Sequence, residues 1–184
     1  MGAAVDKFAH NSFALLAYAA IVKIYDLQFP SFDRSQGLWG FIGSLQPLLM
    51  NFGVTLVACL IGSRIPDWID SDRNPGHRGF GHSLLSLVLF TIIALLASSQ
   101  FVDQGLAVLY AVALAAGYFS HLVLDFVTYE GVPWFWPLDE KYSLDLGPAG
   151  GLLVGFLGFL AFVLSIYLLQ DHLFPAAVLH FGAG

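Results

Sequence analysis

The chain has 184 residues, of which 58% are hydrophobic and 11% charged, with a formal net charge of −6. A water-soluble domain of that length has too little polar surface to cover so much apolar mass, and the uncharged runs reach or exceed the roughly 20 residues that span hydrocarbon, so the bilayer is the expected solvent. The seven Lys and Arg are dispersed, leaving no basic tract for nucleic acid and no polybasic lipid anchor, and the single cysteine, Cys59, lies in an apolar run that offers neither an internal disulfide nor a cysteine metal cluster.

The expected fold is all-α, a polytopic membrane bundle of about five helices forming a single domain over 1–184. The first apolar stretch, Phe8 to Val22, reaches 20 residues only by extending from His10 to Phe29, with Lys23 and Asp26 snorkelling near its far end; a helix lying along the interface is the alternative. Lys23 interrupts this run, and no small-residue cleavage site follows a short apolar core, so a cleaved signal peptide is not expected. The second run, Ser35 to Ser63, exceeds bilayer thickness and contains Pro47. Its first part, Gly37 to Gln46, reads as an entry turn or kinked extension, and the span is placed near Pro47 to Ile65. The third and fourth runs, Ser83 to Val102 and Gln104 to Leu124, are joined around Asp103 by so few residues that they must be antiparallel neighbours. Leu146 to Gln170 supplies the fifth.

Polar residues concentrate in two connections, Arg64 to His82 and Thr128 to Gly147. Counting alternate sides, these and the N-terminus share one face. That face holds Lys7, Arg64, Arg73, Arg78 and Lys141 against Lys23 and Arg34 opposite, so the positive-inside rule makes it cytoplasmic, in a bacterial or archaeal inner membrane.

Ionisable groups inside membrane helices are costly and mark functional sites. His121 and Asp125, at i and i+4, lie on one helix face, within reach of a common ion or of each other. Asp67, Asp70, Asp72, His77 and His82 place three carboxylates and two imidazoles within 16 residues. A solvated acidic loop accounts for Asp72 but poorly for histidines flanking glycines at the start of a membrane helix. The helix count, made from hydrophobicity alone, brings His10, Asp67, His82, His121 and Asp125 to the same depth at the same face. Imidazole mixed with carboxylate and no thiolate suits zinc, manganese or iron, and the number of ligands suffices for two ions. A bound ion would polarise a substrate oxygen and lower the pKa of a coordinated water, which is the chemistry of hydrolysis. Arg78 beside the cluster suits an anionic oxygen such as phosphate, with a topology anchor as its alternative role. In the second connection, Trp134 and Trp136 read first as an interfacial belt; in a functional version this connection covers the site, bringing Glu130 or Asp139 near the ions.

The combined string resembles the membrane-bound metal-dependent hydrolases of the YdjM type. The resemblance covers roughly residues 8–140. It rests on an apolar segment closing in Ile65-Pro66-Asp67, on the His-Arg-Gly-x-x-His-Ser run from His77 to Ser83, and on Gly117-Tyr118-x-Ser120-His121-x-x-x-Asp125-x-x-Thr128-x-x-Gly131, followed by Trp136-Pro137-Leu138. An N-terminal histidine such as His10 also fits the pattern. Two features depart from it: Asp70 lies three residues after Asp67 where the family often has two, leaving Asp72 as an alternative, and Gly81 stands where a threonine usually precedes the second histidine. The resemblance implies an inner-membrane hydrolase distantly similar to zinc-dependent phospholipase C and single-strand-specific nucleases, hence phosphoester chemistry.

Taken together, the expected metal ligands are His10, Asp67, Asp70, His77, His82, His121 and Asp125, with Arg78 and Glu130 as catalytic residues, one or two divalent ions, and membrane lipids as partners, one of them a lipid-phosphate substrate. A phosphatidic-acid-type phosphatase needs an arginine shortly before its HxxxD, and Leu106 to Ser120 contains no basic residue. The competing class is a metal-binding scaffold or regulator without turnover.

Overall fold

A computed structural model of the chain describes residues 2–28, 34–70, 78–138 and 140–173. Seven α-helical segments follow in order: α1 Gly2–Ile24, α2 Gly37–Leu48, α3 Thr55–Gly62, α4 Ile65–Asp70, α5 Leu84–Ser98, α6 Gln104–Val127 and α7 Leu152–Leu173. The segments α2 to α4 form one nearly continuous rod. Pro47 removes a backbone donor inside α2, and the chain answers immediately downstream with a π-helical stretch, Leu49–Val54, before α3 resumes.

Three stretches, Gly37–Asp70, Gln104–Val127 and Leu152–His172, are long and apolar enough to cross a membrane, and α5 is a shorter apolar helix. With α1, whose 23 residues reach about 34 Å at 1.5 Å per residue, they make a bundle of five rods. The chain is an all-α membrane helical bundle. Among the described residues, β pairing is confined to the isolated bridge between Val132 and Tyr142.

The outer surface is apolar, as a lipid solvent allows. On α5, Leu85, Val88, Ile92, Ile93 and Leu96 are each about half exposed, an arrangement that would forfeit about 1 kcal/mol per side chain in water relative to burial. The interior is built around α6, which packs against α1, α3 and α5. Small residues let the backbones close. A Cβ on Gly117 would stand 1.8 Å from the Cys59 carbonyl oxygen, and one on Gly62 would stand 2.1 Å from that of Leu114, so α3 and α6 touch backbone to backbone. Gly158 on α7 receives Ala9 of α1 in the same way. These contacts lie within a turn or two of Asp67, His121 and His10, and so fix where those side chains can reach.

The rods differ from the expected spans at their ends. The first starts at Gly2 rather than His10, because Ala3, Ala4 and Val5 continue the helix without a breaker, and it ends before Asp26, which adopts a left-handed φ of 47°. The second rod continues through Arg64 into α4, so Asp67 and Asp70 sit on helical backbone rather than in a loop. Pro66 is tolerated there because the first turn of a helix has no use for its missing N–H. The third helix is shorter than expected and closes at Ser98.

The Thr128–Gly147 connection folds back on the site end of the bundle. Leu144 and Leu146 amides donate to the Phe126 and Val127 carbonyls, and the Leu84 amide opening α5 donates to the Trp134 carbonyl. Trp134 packs against Phe126, whereas Trp136 stands edge-on to Phe80 and remains partly exposed. The aromatic belt is therefore divided between packing and surface.

Candidate metal centre

Four elements deliver side chains to one end of the bundle. Asp67 comes from the first turn of α4, His82 from a 3-10 turn at Phe80–His82 that precedes α5, His121 and Asp125 from consecutive turns near the end of α6, and His10 from α1. His10, His82, His121 and Asp125 are all buried, with Asp67 partly exposed beside them.

Their atoms converge. His121 Nε2 lies 3.3 Å from Asp125 Oδ2 and 3.4 Å from Asp67 Oδ1. His82 Nε2 lies 3.2 Å from Asp125 Oδ2 and 3.8 Å from Asp67 Oδ1. Donors bound to one zinc ion at about 2.0–2.1 Å in a tetrahedron stand about 3.3 Å from one another, and these four imidazole-to-carboxylate separations are of that size. Among the described residues, His121 Nδ1 and Nε2 and His10 Nδ1 are buried without a hydrogen-bond partner, a cost that a bound ion would offset. Asp67, His82 and His121 form one group of mutually close donors and His10, His121 and Asp125 another, and imidazole with carboxylate and no thiolate matches a divalent ion of the zinc or manganese kind.

A supporting layer orients these donors. Asp70 Oδ2 lies 2.7 Å from His82 Nδ1; because a carboxylate only accepts, Nδ1 carries a proton, and in the neutral imidazole this leaves the Nε2 lone pair facing Asp67 and Asp125. The same carboxylate accepts from the backbone amides of Gly79, Gly81 and His82. Tyr118, fully buried on α6, donates to the Gly81 carbonyl and pairs with Ser86 Oγ, pinning the turn from behind. His82 lies just outside the membrane-spanning helices: burial works to lower its pKa, but the Asp125 and Asp70 carboxylates outweigh it and hold the imidazole above its ordinary value.

Arg78 is turned towards the end of α6. Its guanidinium donates to Asp125 Oδ1 at 2.7 Å, to the Asp125 and Gly131 carbonyls, and to Thr128 Oγ1, and it lies 3.5 Å from Glu130. One cation thus neutralises Asp125 and caps the Asp125 carbonyl in the last turn of the helix. Asp125 faces two ways: Oδ2 towards His82 and His121, Oδ1 towards Arg78 and, at 3.6 Å, His10 Nε2.

Of the residues singled out by sequence, Asp67, His82, His121 and Asp125 come face to face, and His10 stacks on His121 with ring centroids 4.0 Å apart. Asp70 stands behind His82 rather than among the facing oxygens. Glu130 reaches the far side of Arg78. His77, Asp72 and Asp139 lie outside the described residues. Sequence reasoning missed Asp6, whose Oδ1 lies 3.4 Å from His10 Nε2 and whose i, i+4 spacing was a readable signal. It gave no role to the hydroxyls of Tyr118 and Thr128, although both stand in the motif, nor to that of Ser86. The two departures from the family pattern prove to be neighbours: a Cβ on residue 81 would stand 2.8 Å from the Pro66 carbonyl and 3.0 Å from the Asp70 carboxylate, so an aspartate at position 70 and a glycine at position 81 suit each other.

The family of the YdjM inner membrane protein matches residues 5–179, nearly the whole chain and every donor described above. The chain belongs to this family. The inner membrane protein YdjM of Escherichia coli K12 is 33% identical over 118 residues, covering 59% of this chain and 56% of that protein, and YdjM of Shigella flexneri matches to the same extent. The chain thus spans little more than half the length of the curated relatives it matches. No solved structure matches. The YdjM family membership and the helical rods together make this an integral inner-membrane protein with a buried His/Asp cluster able to hold a metal ion.

Proposed function

We propose that the chain is a metal-dependent hydrolase acting on a phosphoester of an amphipathic membrane lipid. The observation that carries this reading is the convergence of His82 Nε2, His121 Nε2, Asp67 Oδ1 and Asp125 Oδ2 at separations of 3.2 to 3.8 Å. A divalent ion, zinc or manganese, supplies Lewis acidity and an activated water when bound in such a set. His82, His121, Asp67 and Asp125 would hold it. Asp125 Oδ1 is already engaged by Arg78, which favours a single ion on the Oδ2 side, with His10 and Asp6 flanking a second position. Asp70 fixes the His82 tautomer, and Arg78 acts as a positioning residue for Asp125. Glu130 is a partly exposed carboxylate on the outer side of Arg78, at the rim of the site.

The location favours a lipid. Polar groups buried among hydrophobic helices carry a cost that a soluble substrate would not repay. The test is elemental analysis of purified protein followed by a screen of phospholipid, polyprenyl phosphate, nucleotide and peptide with and without chelator. Lipid phosphoester cleavage that disappears on chelation and returns with zinc or manganese is the expected result. Preferential cleavage of the nucleotide or peptide would remove the lipid assignment. A metal-binding scaffold is the second reading, favoured by the burial of three of the four donors, and metal retention with no turnover of any substrate would select it.

A further inference from the structure

We infer that the groove between α1 and α3 is a lipid-phosphate site, its apolar wall taking a chain of an anionic membrane lipid and Arg64 taking the phosphate. The groove has a volume of about 510 Å³; Leu15, Leu56 and Leu60 form its wall, and Asn11, Arg64 and Trp68 lie at one end. Its α3 wall lies on a stretch that crosses the membrane, so a lipid chain is the natural occupant of the apolar part. A soluble apolar ligand would gain little from a wall that bilayer tails already cover.

Selectivity comes from the polar end. The Arg64 guanidinium donates to Asn11 Oδ1 at 2.6 Å, which holds the fork in place while, among the described residues, its other N–H donors meet no acceptor. Among the described residues Arg64 forms no ion pair, in contrast to Arg78, whose donors are taken by Asp125, Thr128 and Gly131. A guanidinium with a neutral anchor and spare parallel donors suits a phosphate. Trp68, well exposed one residue beyond Asp67, places an amphipathic ring where a headgroup region would begin.

The polar end of the groove adjoins the metal centre in sequence. Asn11 follows His10, and Asp67 lies in sequence between Arg64 and Trp68 and is the most exposed of the four facing donors. That this lipid is the substrate rests on the hydrolytic reading above; that the groove binds it does not.

The test uses metal-loaded protein in phosphatidylcholine liposomes doped with a diazirine-bearing phosphatidic acid, or with the matching phosphatidylcholine probe as a charge control, and maps the crosslinks by mass spectrometry. Phosphatidic acid label should concentrate on residues 11–15 and 56–68. Arg64→Gln should lower it at least threefold and leave the phosphatidylcholine label unchanged. Val57→Trp, which fills the groove from an exposed position, should lower it similarly, with bound metal unaffected in both variants. Label spread equally over α5 and α7, or undiminished in Arg64→Gln, would overturn the site. Phosphate release is scored separately: groove labelling without release rejects the hydrolytic reading and leaves the site, whereas release with unchanged labelling in both variants rejects the site and leaves hydrolysis.

Discussion

Asp70 and His82 are joined by a 2.7 Å contact on the side of the imidazole opposite to Asp67 and Asp125. A carboxylate in that position fixes the tautomer and raises the basicity of the facing nitrogen, and its removal typically costs 10- to 100-fold in metal affinity. Asp70→Ala should therefore weaken metal binding by roughly that factor, and Asp70→Asn, which keeps an acceptor for Nδ1–H, by less. His82→Ala should lose more than either. Competitive metal titration with a chromogenic chelator measures all three, and equal affinity for Asp70→Ala and wild type would remove Asp70 from the site.

Arg78 is predicted to matter for stability before it matters for turnover. Truncation to alanine takes the guanidinium from the Asp125 carboxylate and from the Asp125 and Gly131 carbonyls, and breaking a buried pair from one side costs about 3–5 kcal/mol. Arg78→Ala should lower the melting temperature in detergent and reduce bound metal together. Arg78→Lys, able to restore charge but not the forked set of bonds, should fall between. A normal melting temperature with turnover abolished would instead assign Arg78 to the substrate.

Much of this site was legible in sequence because hydrophobic run length sets helix count, and helix count sets which ends share a face. His82, His121, Asp67 and Asp125 could be brought together from that alone. What could not be read was direction and depth. Pro66 resembles a loop residue but opens α4, and only that added turn swings Asp70 behind His82. Arg78 looked available for an anion because its partners Thr128 and Gly131 lie about 50 residues away and declare themselves only when the second connection folds back. The Gly62 and Gly117 crossing left no hydropathy signal, since glycine is invisible to run length.

That crossing yields a third expectation. Gly117→Ala places a methyl group where the Cys59 carbonyl now stands, so α3 must move off α6 and carry Asp67 away from Asp125. Overpacking of this kind costs about 1–3 kcal/mol or more. Both melting temperature and metal content should fall. The neighbouring Ala116→Gly, made as a control at a partly buried site, should cost only the helix-propensity loss of about 1 kcal/mol. Full metal occupancy in Gly117→Ala would show that the close approach does not set the site.

Metal and protons should act with opposite sign on stability. His82 has a folded pKa above its ordinary 6.5, so in metal-free protein its contribution is fully present below pH 6.5 and is lost as pH rises through the folded value. Metal requires the neutral imidazole, so its stabilisation grows over the same rise. Melting temperatures at acid and alkaline pH, with chelator and with saturating zinc, should slope in opposite directions. Parallel slopes would mean that the ion does not compete with the proton on His82.

Orientation gives the last expectation. The site end carries Lys7, Arg64, Arg78 and Lys141, and Lys23 lies towards the other end, paired with Asp171 at 2.7 Å. Positive charge collects in the cytoplasm, so the metal centre should open there. Native Cys59 is fully buried and donates to the Ala14 carbonyl, which leaves it a quiet background for thiol labelling. Gln100, exposed in the turn between α5 and α6, and Glu140, exposed in the connection over the site, then report the two faces. A membrane-impermeant maleimide applied to intact cells should label Gln100→Cys and spare Glu140→Cys until the membrane is opened. The reverse pattern would put the site outside, and Arg64 and Arg78 would then owe their positions to the chemistry of the centre rather than to topology.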